Sequence, residues 1–108
     1  MPSNRGRPWK EVRAELLANS AELREEVERL SPRHRVIAEV VKTRASRKLT
    51  QTALAERLGV PQHHISRMES GAHTPTIETL DHVARAMGCR MEVKFVRERG
   101  GSRTAAVG

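Results

Sequence analysis

The sequence predicts an all-α chain of five helices, with a helical arm at its N-terminus and one β-strand at its C-terminus. Three observations predict this. Apolar residues recur at three- and four-residue steps in four or five separate stretches. Those stretches are punctuated by capping and stop residues such as Ser31-Pro32, Gly59 and Gly88. A two-residue period occurs once, near the C-terminus. The chain has 108 residues and 37% hydrophobic composition, with Trp9 and Phe95 as its aromatics. One domain is therefore expected, its core built of Leu, Val, Ile, Ala and Met.

The elements follow in order. Residues 1–8 carry two Pro, a Gly and two Arg, and read as a disordered tail. Residues 9–31 form the arm. Trp9, Val12, Leu16 and Leu17 share a helical face; Asn19 and Glu22 have capping-box spacing; Leu23, Val27 and Leu30 continue the stripe. Residues 32–97 form the main body. Ser31-Pro32 opens a helix bearing Val36, Ile37, Val40 and Val41, which fades near Ser46. Leu54, Ala55 and Leu58 make a short helix closed by Gly59, and Ile65 and Met68 belong to another closed near Gly71. Thr76 caps a last helix with Ile77, Leu80, Val83, Ala84 and Met87. In residues 90–97, Met91, Val93 and Phe95 alternate with Arg90, Glu92 and Lys94, which predicts a strand. Residues 98–108 hold three Gly and few packing groups, and read as a second tail.

Charge narrows the function. Twenty Lys and Arg against thirteen Asp and Glu give a net charge of +7, which favours a polyanionic partner, nucleic acid first. The charge is unevenly placed. Residues 9–30 hold six acids against four bases, whereas residues 31–48 hold six bases against Glu39 alone. No apolar run approaches a membrane span and no secretory signal opens the chain, so a cytoplasmic location is expected. One cysteine, Cys89, excludes an internal disulfide. The five histidines lack acidic or Cys companions at ligand spacing, and no Ser, His and acid arrangement points to catalysis. The expectation is a protein that is not an enzyme and needs no metal or cofactor.

The informative stretch is Leu49 to Gly71. Two short helices joined by a tight turn pack steeply, and the sequence meets that demand at seven positions. Leu54 and Leu58 face inward, Ala55 is small at the crossing, Gly59 allows the turn, Val60 plugs it, and Ile65 and Met68 anchor the second helix. This segment resembles the helix-turn-helix of phage-repressor-like (XRE) transcription regulators. The resemblance rests on Leu49-Thr50-Gln51, Leu54-Ala55, Leu58-Gly59-Val60, Ile65-Ser66 and Met68-Glu69-x-Gly71, with Thr74-Pro75-Thr76 and Leu80 beyond. It covers residues 34–88 and implies a repressor-like fold. A looser pattern, Trp9-x-x-Val12-Arg13-x-Glu15-Leu16-Leu17, resembles the N-terminal arm of HigA-like antitoxins. Pro61 departs from the pattern, since the repressor family usually places a Ser or Thr cap there.

The second helix of such a pair enters the major groove, with Gln62, His63, Ser66 and Arg67 on its outward face. By resemblance, Gln62, His63 and Arg67 match base-reading positions and Gln51 a phosphate-contacting one. His64 is read as a backbone contact, on a different helix face from His63. Arg47 and Lys48 precede the motif and can reach phosphates, which supply affinity rather than sequence. Arg44 can do the same, but the resemblance implies that it pairs with Glu69 as a partly buried structural lock. The resemblance further implies an antitoxin that neutralises a RelE/HigB-like mRNA-cleaving toxin and represses its own operon, binding a palindromic operator as a homodimer. Trp9, Val12, Leu16, Leu23, Val27 and Leu30 are candidate toxin contacts, or else they close the core. Met91, Val93 and Phe95 are the candidate dimer strand. The alternative is a stand-alone XRE regulator with no toxin partner.

Overall fold

A computed structural model describes residues 7–18 and 23–98. Six helices occur among them: α1 (Trp9–Leu17), α2 (Arg24–Glu28), α3 (Pro32–Ser46), α4 (Gln51–Leu58), α5 (Gln62–Glu69) and α6 (Ile77–Ala86). The arm supplies two of these. The capping-box pair Asn19 and Glu22 lies outside the described residues, as do the tails apart from residues 7, 8 and 98.

Three helices start on side-chain caps. Ser31 Oγ accepts from His34 N at 3.2 Å, Thr50 Oγ1 from Ala53 N at 3.0 Å, and Thr76 Oγ1 from Thr79 N at 3.0 Å. Each satisfies a first-turn N–H that has no partner within its helix. Gly59 ends α4 with φ 73°, in the left-handed region that L side chains disfavour. Gly71 has φ 83°, a conformation that calls for glycine, and a Cβ there would meet the tip of the His34 ring, 2.7 Å from Nε2.

Helix α3 is the spine between two apolar clusters. Its Val40 joins Leu54, Ala55, Ile65, Met68, Val83 and Met87, which knit α4, α5 and α6 together. Its Ile37, Ala38 and Val41 face the other way and are covered by Val12, Leu16 and Leu23 of the arm. Trp9, Val27 and Leu30 pack against the edge of this second cluster. The arm therefore lies on the body rather than standing away from it. The physical reason is α3 itself, which is apolar on two faces and needs cover on both.

The C-terminal strand is a correction. No strand occurs among the described residues; residues 89–98 have no regular secondary structure. Met91 is half-buried, while Val93, Phe95 and Val96 are 68%, 97% and 81% exposed. Alternation sets which faces side chains occupy, but a strand exists only against a ladder partner, and these residues find none among the described residues.

Candidate nucleic-acid interface

Helices α4 and α5 meet across the Gly59 turn, with Val60 N donating to Ala55 O at 3.1 Å to close it. Ile65, Met68 and Glu69 are buried on the inner face of α5. Its other face is open: Gln62, His63, His64 and Arg67 are all exposed, and Ser66 is half-buried. His63 and His64 were expected on different faces, yet their rings meet edge to face with centroids 4.8 Å apart, so both belong to the exposed side. Pro61 precedes the helix with no side-chain cap, and in the first turn His64 N donates to Pro61 O at 3.0 Å.

Behind this surface sits a buried ionic hub. Glu69 is fully buried, and Arg44 is 6% exposed. Arg44 grips the carboxylate with two bonds, Nε to Oε2 at 2.7 Å and Nη2 to Oε1 at 2.9 Å. Its Nη1 donates to Leu49 O at 2.8 Å, tying down the α3–α4 connection. Gln51 Nε2 and Arg13 Nη2 each donate to Glu69 Oε1 at 3.0 Å, and Trp9 Nε1 donates to Glu69 O at 2.7 Å. Burial pushes the Glu69 carboxyl up, but the hydrogen bonds from Arg44 and Gln51, the Arg44 charge and the Arg13 bond together hold it below the usual carboxylate range.

The repressor resemblance implies an Arg44–Glu69 pair, and the two side chains are in contact at 2.7 Å. The roles of Trp9 and Arg13 in the hub were not anticipated. Trp9 had been read as an apolar anchor, although a buried indole N–H needs an acceptor, which was the available signal. The sequence reads Arg13 as one base among the arm's charges and as part of the antitoxin-like arm pattern, not as a partner of Glu69.

The hub reaches the exposed face through Gln51. Its Oε1 accepts from Gln62 Nε2 at 2.6 Å, so Gln51 spans from a buried carboxylate to the first residue of α5. Gln51 is half-buried. Arg47 is exposed and directs Nη2 toward Cys89 Sγ at 3.3 Å, beside the end of α6. Lys48 is exposed and adopts φ 57°, the left-handed region, just past α3. Of the six candidate toxin contacts, Val12, Leu16 and Leu23 lie in the core at 1%, 4% and 4% exposure and offer no surface to a partner in this fold. Trp9, Val27 and Leu30 are half-buried, and the Trp9 ring lies 5.3 Å from that of His34.

Among the described residues, no cluster of three His, Cys, Asp or Glu is arranged to hold a metal ion, and no helix is long and apolar enough to cross a membrane.

A short helix with an exposed polar face, held at a fixed angle by a Gly turn and a buried ion pair, defines a DNA-binding helix-turn-helix protein. The family profile described as helix-turn-helix matches residues 41–94, and the chain belongs to that family, of XRE type. No curated protein and no solved structure matches it significantly.

Proposed function

We propose that the protein is a HigA-like antitoxin that reads a palindromic operator as a homodimer, represses its own operon and neutralises a RelE/HigB-like mRNA-cleaving toxin. The observation that carries the DNA reading is the open face of α5, where Gln62, His63 and Arg67 stand in solvent opposite a buried Ile65, Met68 and Glu69. Arg matches the two acceptors of guanine and Gln the donor–acceptor pair of adenine, each bidentate contact being worth ~1–3 kcal/mol of discrimination. Ser66 shares that groove-facing side, and His64, Gln51, Arg47 and Lys48 are assigned as backbone contacts, which fix register and supply the salt-dependent share of affinity.

The antitoxin part of the reading is supported by the arm's charge. Glu11, Glu25 and Glu28 are exposed on α1 and α2. A toxin that grips RNA phosphates is basic, and these carboxylates, interleaved with exposed Lys10, Arg24 and Arg29, offer it ion-pair partners. With Val12, Leu16 and Leu23 in the core, the toxin meets the arm's outer carboxylates and the open edges of Trp9, Val27 and Leu30. The dimer is assigned to the exposed apolar groups of Val93 and Phe95 with Met91 beside them, a patch that a twofold partner covers reciprocally.

The test uses the DNA upstream of the protein's own gene in a mobility-shift assay against unrelated duplex, with light scattering of the free protein. Retention of the upstream DNA at salt that releases unrelated duplex is expected, from a dimeric protein. Equal affinity for both rejects the operator reading, and a monomer rejects the dimer. Co-expression with the product of an adjacent toxin-sized reading frame should relieve growth arrest; failure to do so leaves a stand-alone XRE regulator.

A further inference from the structure

Glu69 is part of α5, yet two of its partners come from the arm. One oxygen, Oε1, collects three donors: Arg44 Nη2 at 2.9 Å, Gln51 Nε2 at 3.0 Å and Arg13 Nη2 at 3.0 Å. The backbone carbonyl of the same residue takes the Trp9 indole N–H at 2.7 Å. The carboxylate is thus held from α3, α4 and α1 at once, and its carbonyl from α1. Gln51 carries this arrangement outward. A side-chain amide has one donor end and one acceptor end. Committing the Gln51 nitrogen to Glu69 leaves its oxygen to receive Gln62 Nε2, at 2.6 Å. That bond uses one of the two Gln62 N–H groups and fixes which way the Gln62 amide faces. The remaining N–H and the oxygen stay on the exposed face.

We propose that Arg13 and Trp9 are positioning residues for operator reading: the docked arm fixes the Glu69 carboxylate, and through Gln51 fixes the orientation in which Gln62 is presented to DNA. Arm docking and base reading are then one coupled event, and a partner that lifts α1 from the body changes operator specificity as well as occupying the arm. This rests on α5 reading DNA as proposed above.

The geometry favours coupling over simple packing. The Arg13 side chain is 28% exposed and has solvent within reach, yet its guanidinium is turned onto the buried carboxylate. The route from Arg13 to Gln62 runs through three consecutive hydrogen-bonded contacts, each within 3.0 Å.

The experiment uses the full chain and a duplex enriched by the wild-type protein from a randomised pool, with a scrambled duplex as control. Arg13→Met keeps the apolar stem and removes the guanidinium. Its ratio of selected to scrambled affinity should fall roughly fivefold or more, in the usual range for coupled sites, with scrambled binding and helix content unchanged. In a Gln62→Ala background the same change should cause no further loss of the ratio, and Arg13→Lys should restore part of it. An unchanged ratio in Arg13→Met, or an equal loss with and without Gln62, overturns the proposal. If Arg13→Met does not fold, Trp9→Phe, which removes only the indole and its N–H, is put through the same cycle with the same criteria. A wild-type protein that enriches no sequence rejects the DNA reading itself. Enrichment without the coupling rejects only this inference.

Discussion

Replacing Glu69 by Ala removes the acceptor for Arg44, Arg13 and Gln51 in one step. The magnitude follows from burial. Glu69 is 0% and Arg44 6% exposed, so the guanidinium left behind cannot reach water without opening the α3–α5 contact. Stranding one partner of such a pair typically costs ~3–5 kcal/mol. Arg44 Nη1 keeps its bond to Leu49 O at 2.8 Å, which favours the lower half of that range. Arg13, already 28% exposed, turns to solvent and adds little. At about 4–8 °C per kcal/mol for a domain of this size, the melting midpoint falls by at least about 12 °C. Circular dichroism melts at neutral pH read this directly. The double variant Arg44→Met/Glu69→Leu, which removes both charges, should melt above Glu69→Ala, because no charge is left buried without its counterpart. A Glu69→Ala protein that melts with the wild type, or a double variant no better than the single, would show that the buried pair does not hold α3 to α5.

Acid should act through the same residue. The native Glu69 carboxyl is held below its ordinary range, so on acidification the unfolded chain takes up that proton first. Stability is full above the ordinary Glu value of about 4.3 and drains as pH falls toward the native value, which urea unfolding at neutral and acid pH measures and Glu69→Gln should flatten. His34 is lowered by burial and by the Arg33 charge, so it adds a smaller loss that begins as pH falls through about 6.5, removed in His34→Gln. Deleting residues 1–30 uncovers Ile37, Ala38 and Val41 and removes three core side chains worth ~1.5–3 kcal/mol each; the truncated chain should lose its cooperative melt, and a transition near that of wild type would contradict this. At Lys48, φ 57° costs an L residue about 1–2 kcal/mol, so Lys48→Gly should be more stable than Lys48→Ala by about 1 kcal/mol, while both flatten the salt dependence of DNA binding by about 0.9 in log–log slope.

Much of this architecture was legible in the sequence because its signals are local. Ser31 and Thr76 cap helices and Gly59 takes positive φ at its turn, where composition and spacing placed them, whereas the Thr50 cap and the positive φ of Gly71 were not anticipated. The Arg44–Glu69 pair was legible because the resemblance carries its spacing. The arm's placement was not legible in this way. The same stripe of Val12, Leu16 and Leu23 serves a free surface or a closed core equally well, and only the second apolar face of α3 decides between them. The ties from Trp9 and Arg13 to Glu69 span 60 and 56 residues and leave no local trace. The strand over 90–97 failed for the opposite reason. Its period was real, but pairing depends on a partner that alternation cannot supply.

If the open face of α5 reads base pairs, the sequence that the protein selects depends on Arg67. The direct measurement is parallel enrichment of a randomised duplex pool by the wild-type protein and by Arg67→Ala, with affinities for the enriched sites at fixed salt. A two-fold-symmetric site is expected from the wild type, with Arg67→Ala losing its preference at one position in each half-site and ~1–3 kcal/mol of affinity for that site while scrambled duplex is bound as before. The same enriched sequence from both proteins, or no enrichment from either, contradicts it.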